Sequence, residues 1–123
     1  MNILLLEDEP LILMDLEYAT EDLGYRPLCA SSVSEAIAIL RGTEAVSAAV
    51  LDVSLKDGET CLPVAKELAI RRIPYLLHSG DLDRHDEVVR ALGAELIAKP
   101  ATASSVIRRA AGQAGADPAP KPD

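Results

Sequence analysis

Carboxylate side chains follow two of the aliphatic runs in this sequence. Glu7, Asp8 and Glu9 come directly after the first run, and Asp52 comes directly after the third. Clustered carboxylates repel one another, so a site that gathers them needs a cation, and hard oxygen ligands at this density suit Mg²⁺. A carboxylate can also act as a nucleophile towards phosphorus. These residue types therefore fit magnesium binding and phosphoryl transfer.

A hydroxyl group and an ammonium group follow two later aliphatic runs. Ser79 comes after the fourth run and Lys99 after the fifth. Phosphoryl transfer requires positive charge around the equatorial oxygens and an in-line approach of the nucleophile. Asp52, Lys99 and Ser79 together with Mg²⁺ would supply these parts.

Five aliphatic runs alternate with five segments of helical periodicity, which predicts a (βα)5 fold of the α/β class. The predicted strands are residues 2–6, 25–30, 47–51, 73–78 and 95–98. Helix signals lie between them, such as Ser32 with Glu35 in a capping box and Gly24 as a helix stop. The alternation indicates a doubly wound parallel sheet with right-handed crossovers, as in flavodoxin-like folds.

The strand order determines which of these side chains meet. In the common order 2-1-3-4-5, ligands bind at the carboxyl ends of the strands. That order places Asp8 beside Asp52, with Ser79 and Lys99 on the other side of Asp52. We therefore expect the carboxylates, the hydroxyl and the ammonium at one edge of the sheet.

Composition restricts the class of protein. The 123 residues carry a net charge of -8, 49% are hydrophobic, and Phe and Trp are absent, which predicts one folded domain with an aliphatic core. The acidic balance and the scarcity of aromatics argue against nucleic-acid binding. No run is long enough for a signal peptide or a membrane span, and Cys29 and Cys61 form no metal motif, so we expect a cytoplasmic protein.

The last residues lack any apolar period and contain three prolines. We therefore predict a folded domain over residues 1–112 and a disordered tail over residues 113–123. No segment after the last predicted helix is long enough for a further domain, so we expect either a stand-alone, single-domain protein or one domain of a longer chain.

Four motifs at four strand ends resemble the receiver domains of response regulators (CheY-like) in two-component signalling. They are Leu-Glu-Asp-Glu-Pro, Leu-Asp-Val-Ser-Leu-Lys-Asp-Gly, His-Ser-Gly and Gly-Ala-Glu-Leu-Ile-Ala-Lys-Pro. Each motif alone is a weak signal, but the four in order are a strong one. The resemblance covers Asn2 to Gly112.

The resemblance implies a phosphorylation site at Asp52 and a magnesium ion beside it. Asp8 and Asp52 would ligate Mg²⁺ directly, the backbone carbonyl of Ser54 would complete the protein ligands, and Glu7 would act through water. The phosphoryl group would come from a phosphohistidine of a sensor kinase or a phosphotransfer protein. We expect its transfer to change the binding of an output protein that the sequence does not identify.

The resemblance also assigns roles to the remaining strand-end residues. Lys99 would contact the phosphoryl group, and Ser79 would hydrogen-bond it and transmit the change. The Lys99–Pro100 peptide bond is expected to be cis, against a rate of about 5% for X–Pro bonds in general.

Three positions depart from the usual receiver pattern. Leu96 stands where an aromatic switch residue is usual, Ala101 where Phe is frequent, and Lys56 where a proline is usual. We infer that the output face differs while the phosphorylation chemistry is retained. Asp81 flanks the path of water to the phosphoryl group, and the sign of its effect on dephosphorylation is left open.

The sequence favours a signalling switch rather than an enzyme, with no nucleic-acid or membrane partner and with homodimer formation left open. One alternative is a small metal-dependent phosphatase, but Asp52-Val53-Ser54 lacks the second Asp of the aspartyl phosphatases. A flavodoxin-like carrier would need a phosphate-binding loop where Glu7, Asp8 and Glu9 stand. A pseudo-receiver that takes no phosphate is the third alternative, and the acidic pair and Lys99 weigh against it.

Overall fold

The computed structural model describes residues 1–80 and 87–115, which form alternating strands and helices. The strands are β1 (Asn2–Leu6), β2 (Arg26–Ala30), β3 (Ala48–Leu51), β4 (Tyr75–Ser79) and β5 (Leu96–Ala98). The α-helices are α1 (Pro10–Asp22), α2 (Val33–Arg41), α3 (Leu62–Ile70), α4 (Glu87–Leu92) and α5 (Ala103–Gln113). A short 3₁₀ turn, Lys56–Gly58, lies between β3 and α3.

All five strands are parallel and lie in the order β2-β1-β3-β4-β5, which confirms the predicted fold class. Leu6 pairs with Leu51 across β1 and β3, so Glu7 and Asp52 leave the sheet side by side. Ser79 pairs with Ala98 across β4 and β5, so Lys99 leaves the sheet next to Gly80. The register alone thus brings the chemistry-bearing residues to one edge.

The core consists of two aliphatic layers, one on each face of the sheet. Ile3 and Leu5 of β1 pack in the layer with α1 and α5, whereas Leu4 and Leu6 pack in the layer with α2 and α3. All four side chains are at most 1% exposed. Burial on both faces explains why the strand reads as a continuous apolar run rather than as an alternation.

The capping box of α2 differs by one residue from the expected pattern. The Ser32 hydroxyl accepts a hydrogen bond from the Glu35 N–H at 3.2 Å, as predicted. The Glu35 carboxylate, however, accepts from the backbone N–H and the hydroxyl of Ser31, at 2.7 and 2.9 Å, rather than from the Ser32 N–H. These hydrogen bonds hold the pKa of Glu35 below its ordinary value.

β4 begins two residues later than predicted, because α3 ends in a Schellman motif. Arg72 takes a left-handed conformation with φ 59°, and the Ile73 N–H donates to Leu68 O at 2.9 Å. Ile73 therefore belongs to the end of the helix, and the strand continues through Ser79. Ser79 is thus the last strand residue rather than the first loop residue.

Some of the predictions fall beyond the described residues. α5 continues through Gln113, and the stretch from 116 to 123 lies outside what the structure describes, so the tail stays a prediction. Asp81 also lies outside the described residues. Both cysteines are free thiols. Among the described helices, none combines the length and the apolar character that a membrane crossing requires.

Candidate phosphoacceptor and metal site

Glu7 and Asp52, which follow β1 and β3, are each held by a backbone hydrogen bond to the neighbouring strand. The Asp52 N–H donates to Leu6 O at 2.9 Å, and the Glu7 N–H donates to Ala30 O at 3.1 Å. Both residues therefore continue the parallel ladder by one step, and their side chains start from rigid backbone. A site built on strand ends is held more precisely than one on a free loop.

Three carboxylates meet at this edge. One oxygen from each of Glu7, Asp8 and Asp52 lies within 4.8 Å of the other two. Glu7 and Asp52 are buried, with 1% and 5% of their surfaces exposed, whereas Asp8 is half-buried. Such an all-oxygen donor set fits a hard divalent cation such as Mg²⁺.

Lys99 places a positive charge next to the carboxylates. Its ammonium nitrogen lies 2.9 Å from Glu7 Oε1 and 3.6 Å from Asp52 Oδ1. The Lys99 N–H donates to Ser79 O at 2.7 Å, and the following Lys99–Pro100 bond is cis, as expected from the sequence. Glu7 Oε2 accepts from the Glu9 N–H at 3.2 Å. Glu7 is thus held by the chain at both oxygens.

Burial and crowding of negative charge change the acidity of the site. Burial, a hydrogen bond with Glu7 and the negative charges of Glu7 and Asp8 raise the pKa of Asp52 to about 8, although Lys99 acts in the opposite direction. Burial lowers the pKa of Lys99, but its contacts with Glu7 and Asp52 outweigh that effect and raise it overall. Lys99 is therefore a permanent cation, whereas Asp52 without a bound cation holds its proton up to neutral pH.

An open cleft of about 440 Å³ lies above the carboxylates. Its lining residues are Asp8, Glu9, Asp52, Ser54, Leu55, Lys56, Gly80 and Lys99. The loop after β3 forms one wall of the cleft. A hydrogen bond from the Leu55 N–H to Glu59 O, at 2.8 Å, joins the two sides of this loop. Asp57 and Gly58 make the tight turn with φ 62° and 75°. The Asp52 carboxylate is therefore reached from solvent through this cleft.

Comparison with known proteins finds one curated relative and many similar folds. The phyllosphere-induced regulator PhyR of Methylorubrum extorquens is 34% identical over 114 residues, which are 89% of this chain and 43% of PhyR. The chain thus spans less than half the length of that relative. No protein-family model matches the sequence.

Three solved structures share the fold over nearly the whole chain. SdrG of Sphingomonas melonis Fr1 is 35% identical with a TM-score of 0.75, covering 94% of this chain and 97% of SdrG. A response regulator receiver protein of Sinorhizobium medicae WSM419 is 25% identical with a TM-score of 0.80, covering 94% and 95%. The receiver domain of the sensor histidine kinase PA1611 of Pseudomonas aeruginosa PAO1, with a magnesium ion in its active site cleft, is 22% identical with a TM-score of 0.78, covering 94% and 98%.

The chain belongs to the response-regulator receiver domains. As a receiver domain, it is a part of two-component signal transduction, and receiver domains are signalling domains rather than classical enzymes. Most of the residues that the sequence singled out come together in this receiver domain. They are Glu7, Asp8, Asp52, Ser54 and Lys99.

Two further positions that the sequence singled out, Ser79 and Leu96, do not line the cleft. The Ser79 side chain is buried, and its hydroxyl lies 3.4 Å from Gly80 O, so that Gly80 lines the cleft in its place. Leu96, at the usual aromatic switch position, is half-buried and packs against the core layer of α2 and α3. The receiver domain thus keeps the acidic pocket while this switch position is aliphatic.

Sequence reasoning did not find the contact between Glu7 and Lys99. It assigned Glu7 to the cation and Lys99 to the phosphoryl group, but the two side chains pair directly at 2.9 Å. The sequence did offer one signal. Glu7 directly follows an apolar strand with four buried residues, so its carboxylate is expected to be buried, and a buried carboxylate requires a partner. Gly80 was also missed as a cleft residue.

Proposed function

We propose that Asp52 accepts a phosphoryl group from the phosphohistidine of a sensor kinase or a phosphotransfer protein. One observation carries the proposal: the Asp52 carboxylate lies in an open cleft, 3.6 Å from the Lys99 ammonium and beside the Asp8 carboxylate. A nucleophile, a fixed cation and a ligand set for a divalent ion are thereby assembled at one point. The resulting charge change would alter the binding of a partner protein.

The oxygen cluster supports Mg²⁺ as the cofactor. Asp8, Asp52 and the backbone carbonyl of Ser54 would hold the ion, with Glu7 acting through water. When bound, Mg²⁺ neutralises charge on the phosphoryl oxygens. The magnesium ion in the cleft of the Pseudomonas aeruginosa receiver domain supports the same assignment here.

The chain's own side chains perform the transfer. An Asp52 carboxylate oxygen attacks phosphorus, the P–N bond of the phosphohistidine breaks, and the electron pair of that bond leaves with the imidazole. Asp52 must be ionised to attack, and the positive charge of Lys99 favours the ionised form. Lys99 already lies between Glu7 and Asp52, so its ammonium is placed to contact the phosphoryl oxygens once Asp52 carries them. Ser79 would then hydrogen-bond the phosphoryl group after a change of its hydroxyl direction.

Phosphorylation of the wild type by acetyl phosphate with Mg²⁺, followed by intact-mass measurement, tests this assignment. We expect the wild type to gain the mass of one phosphoryl group and Asp52→Asn to gain none. Asp57→Asn is a matched control, because Asp57 is exposed in the next turn and should be labelled normally. Equal labelling of Asp52→Asn and the wild type would refute the proposal, and absence of labelling in the wild type would favour a pseudo-receiver.

The exposed apolar side of α1 is the surface we assign to the phosphodonor protein. Leu11, Met14 and Tyr18 lie along one side of this helix and are 72%, 38% and 56% exposed. A protein that brings its phosphohistidine to Asp52 must cover the rim of the cleft, where Asp8 and Glu9 lead directly into α1. Contact with this side would bury apolar surface next to the reacting atoms.

The Leu11→Asp variant distinguishes phosphoryl transfer from a protein donor from labelling by a small-molecule donor. We expect it to slow transfer from a phosphorylated histidine-phosphotransfer protein that labels the wild type, while labelling by acetyl phosphate stays unchanged. Ile70→Asp is the control, because Ile70 is similarly exposed, at 77%, but ends α3 at the opposite edge of the sheet. Equal slowing by both variants, or by neither, would contradict the assigned surface.

A further inference from the structure

The loop after β3 carries a lysine to the cleft above Asp52. The chain stays extended through Leu55, whose φ and ψ are -108° and 171°. Val53 and Leu55 are 0% and 7% exposed, and both pack in the core layer of α2 and α3. Successive side chains of an extended segment point to opposite sides. Ser54 and Lys56 therefore lie on the other side, and both line the cleft.

Backbone hydrogen bonds hold Lys56 in this place. Ser54 pairs with Thr60 in an antiparallel bridge, and the Leu55 N–H donates to Glu59 O at 2.8 Å. The Glu59 N–H in turn donates to Lys56 O at 3.3 Å. The loop is thus a small closed turn, and the Lys56 side chain starts from backbone that is fixed relative to β3.

The Lys56 ammonium has no partner in the described part of the chain. The side chain is exposed, and its ammonium makes no hydrogen bond or ion pair with any residue over 1–80 and 87–115. Lys99, which also lines the cleft, lies 2.9 Å from Glu7 Oε1 and 3.6 Å from Asp52 Oδ1. Among the described cleft residues, Lys56 is therefore the cation that remains for an incoming anion.

A small phosphodonor is an anion that must enter a largely acidic cleft. Acetyl phosphate is a dianion at neutral pH, and the carboxylates of Asp8, Glu9 and Asp52 line the cleft. A divalent cation held by Asp8 and Asp52 would cancel the charge of those two, but the exposed Glu9 would still repel the donor. A cation at the rim offsets this repulsion and raises the local concentration of the anion.

We propose that Lys56 binds small phosphodonors, and that acyl phosphates are the class that gains most from it. This inference rests on the proposed function of Asp52. The Asp52 carboxylate forms a bond to phosphorus, the bond from phosphorus to the acyl oxygen breaks, and the carboxylate leaves with that electron pair. The Lys56 ammonium attracts both the dianionic donor and the departing carboxylate. It contributes less to phosphoramidate, which is a monoanion and releases neutral ammonia.

Initial rates of phosphorylation at saturating Mg²⁺ and sub-saturating donor, followed by intact mass, test the proposal. We expect acetyl phosphate to label Lys56→Met about threefold to fivefold more slowly than the wild type, the upper part of the range for an exposed ion pair. The loss with phosphoramidate should be smaller. The loss with acetyl phosphate should shrink at about 1 M salt, because salt screens exposed charges.

Two further variants separate a local effect from a general one. Lys56→Arg keeps the positive charge and should be labelled at the wild-type rate. Lys66→Met removes the same charge from the exposed side of α3, outside the cleft, and should also keep the wild-type rate.

Failure of this inference and failure of the proposed function give different results. If Lys56→Met matches the wild type with acetyl phosphate, the role of Lys56 is overturned while the assignment of Asp52 stands. Equal slowing by Lys56→Met and Lys66→Met would also overturn it, because net charge alone would then explain the effect. An equal loss with both donors, or one that salt does not reduce, would contradict the preference for acyl phosphates. A wild type that neither donor labels would overturn the proposed function and this inference with it.

Discussion

Asp52 is subject to two opposing requirements. A nucleophile must be ionised, yet the burial of Asp52 and the neighbouring carboxylates of Glu7 and Asp8 raise its pKa to about 8. Lys99 offsets part of this effect, and a divalent cation at the three carboxylates would offset the rest. In the proposed function, a cation bound at the acidic cluster would therefore convert Asp52 to its ionised form.

The raised pKa of Asp52 predicts that the metal-free protein loses stability as pH rises. The folded state retains a proton on Asp52 up to about pH 8, whereas the unfolded state releases it near 3.8. Between these values the folded state binds more protons, so the free energy of unfolding decreases with pH. Burial lowers the pKa of His78 below 6.5, so in the lower part of the window from 6.5 to 8 the unfolded state still releases a histidine proton, which acts in the opposite direction. Asp52→Asn retains His78 and is therefore the reference that isolates Asp52.

Urea denaturation in EDTA across this pH window is the measurement. We expect the wild type to become less stable from pH 6.5 to pH 8 and Asp52→Asn to change much less, because it has no carboxyl proton to lose. A wild-type stability that changes with pH in the same way as that of Asp52→Asn would contradict the assigned acidity.

The Lys99→Met variant tests whether this ammonium holds the carboxylates together. Removing it leaves Glu7 buried without a cation, and we expect a loss of about 3 kcal/mol in EDTA, the lower end for broken buried pairs, because the Lys99 side chain is partly exposed. Mg²⁺ should restore more stability to this variant than to the wild type. Lys66→Met, on the exposed side of α3, is the control and should change little in thermal denaturation. Equal effects of both variants would argue against the pairing.

At the residue scale, the sequence predicted which side chains meet but not how they pair. The positions of Asp8, Asp52 and Lys99 after buried strands followed from the strand order alone. The contact of Lys99 with Glu7 depends on the direction in which each side chain leaves its strand, and neighbouring residues along the chain do not determine that direction. Ser79 was placed one residue outside β4, because its pairing with Ala98 and the hydrogen bond from the Lys99 N–H to its carbonyl, which extend the strand, are not visible in the sequence.

Helix ends set the limits of the strands that carry the site. The α3 terminus places Arg72 in a left-handed conformation, which the sequence did not indicate because glycine usually occupies such a position. The ends that were predicted correctly carry the usual signals, as at Pro10 in the first turn of α1 and at Gly24, with φ 85°, after it. Element boundaries were therefore predictable where a proline, a glycine or a capping residue stood.

Thr102 is the cap that fixes the start of α5 close to Lys99. Its hydroxyl accepts from the Ser105 N–H, and α5 packs on α1. We expect Thr102→Ala to lower the free energy of unfolding by about 1 kcal/mol. Ser104→Ala in the same turn, at an exposed position, should have a much smaller effect in chemical denaturation. A larger loss from Ser104→Ala would contradict the capping role.

At the scale of the whole molecule, the fold was the most predictable feature. Every strand of a parallel sheet with helices on both sides is buried on two faces, so aliphatic runs such as Leu4 to Leu6 mark strands without any alternation. The absence of Phe and Trp did not prevent two well-packed core layers, because Leu, Ile, Val and Ala fill them. Leu96 on β5 is likewise an aliphatic residue that packs against one of these layers.

Magnesium binding should stabilise the whole domain, because the ligand set exists only when β1 and β3 are paired. At a free concentration about 100 times the dissociation constant, we expect a gain of about 2.7 kcal/mol over the protein in EDTA. Asp8→Asn should lose most of this gain and bind Mg²⁺ more weakly in a titration. Asp15→Asn, an exposed acidic residue of α1, should retain it. Equal Mg²⁺ stabilisation of Asp8→Asn and the wild type would remove Asp8 from the ligand set.

Reductive trapping of the phosphorylated protein tests the central assignment most directly. Borohydride reduces an aspartyl phosphate to homoserine, which peptide mass mapping locates by residue. After treatment with acetyl phosphate and Mg²⁺, we predict homoserine at position 52, with Asp8 and Asp57 recovered unchanged. A reduced residue at any other carboxylate, or a phosphorylated protein in which Asp52 survives reduction, would contradict the account.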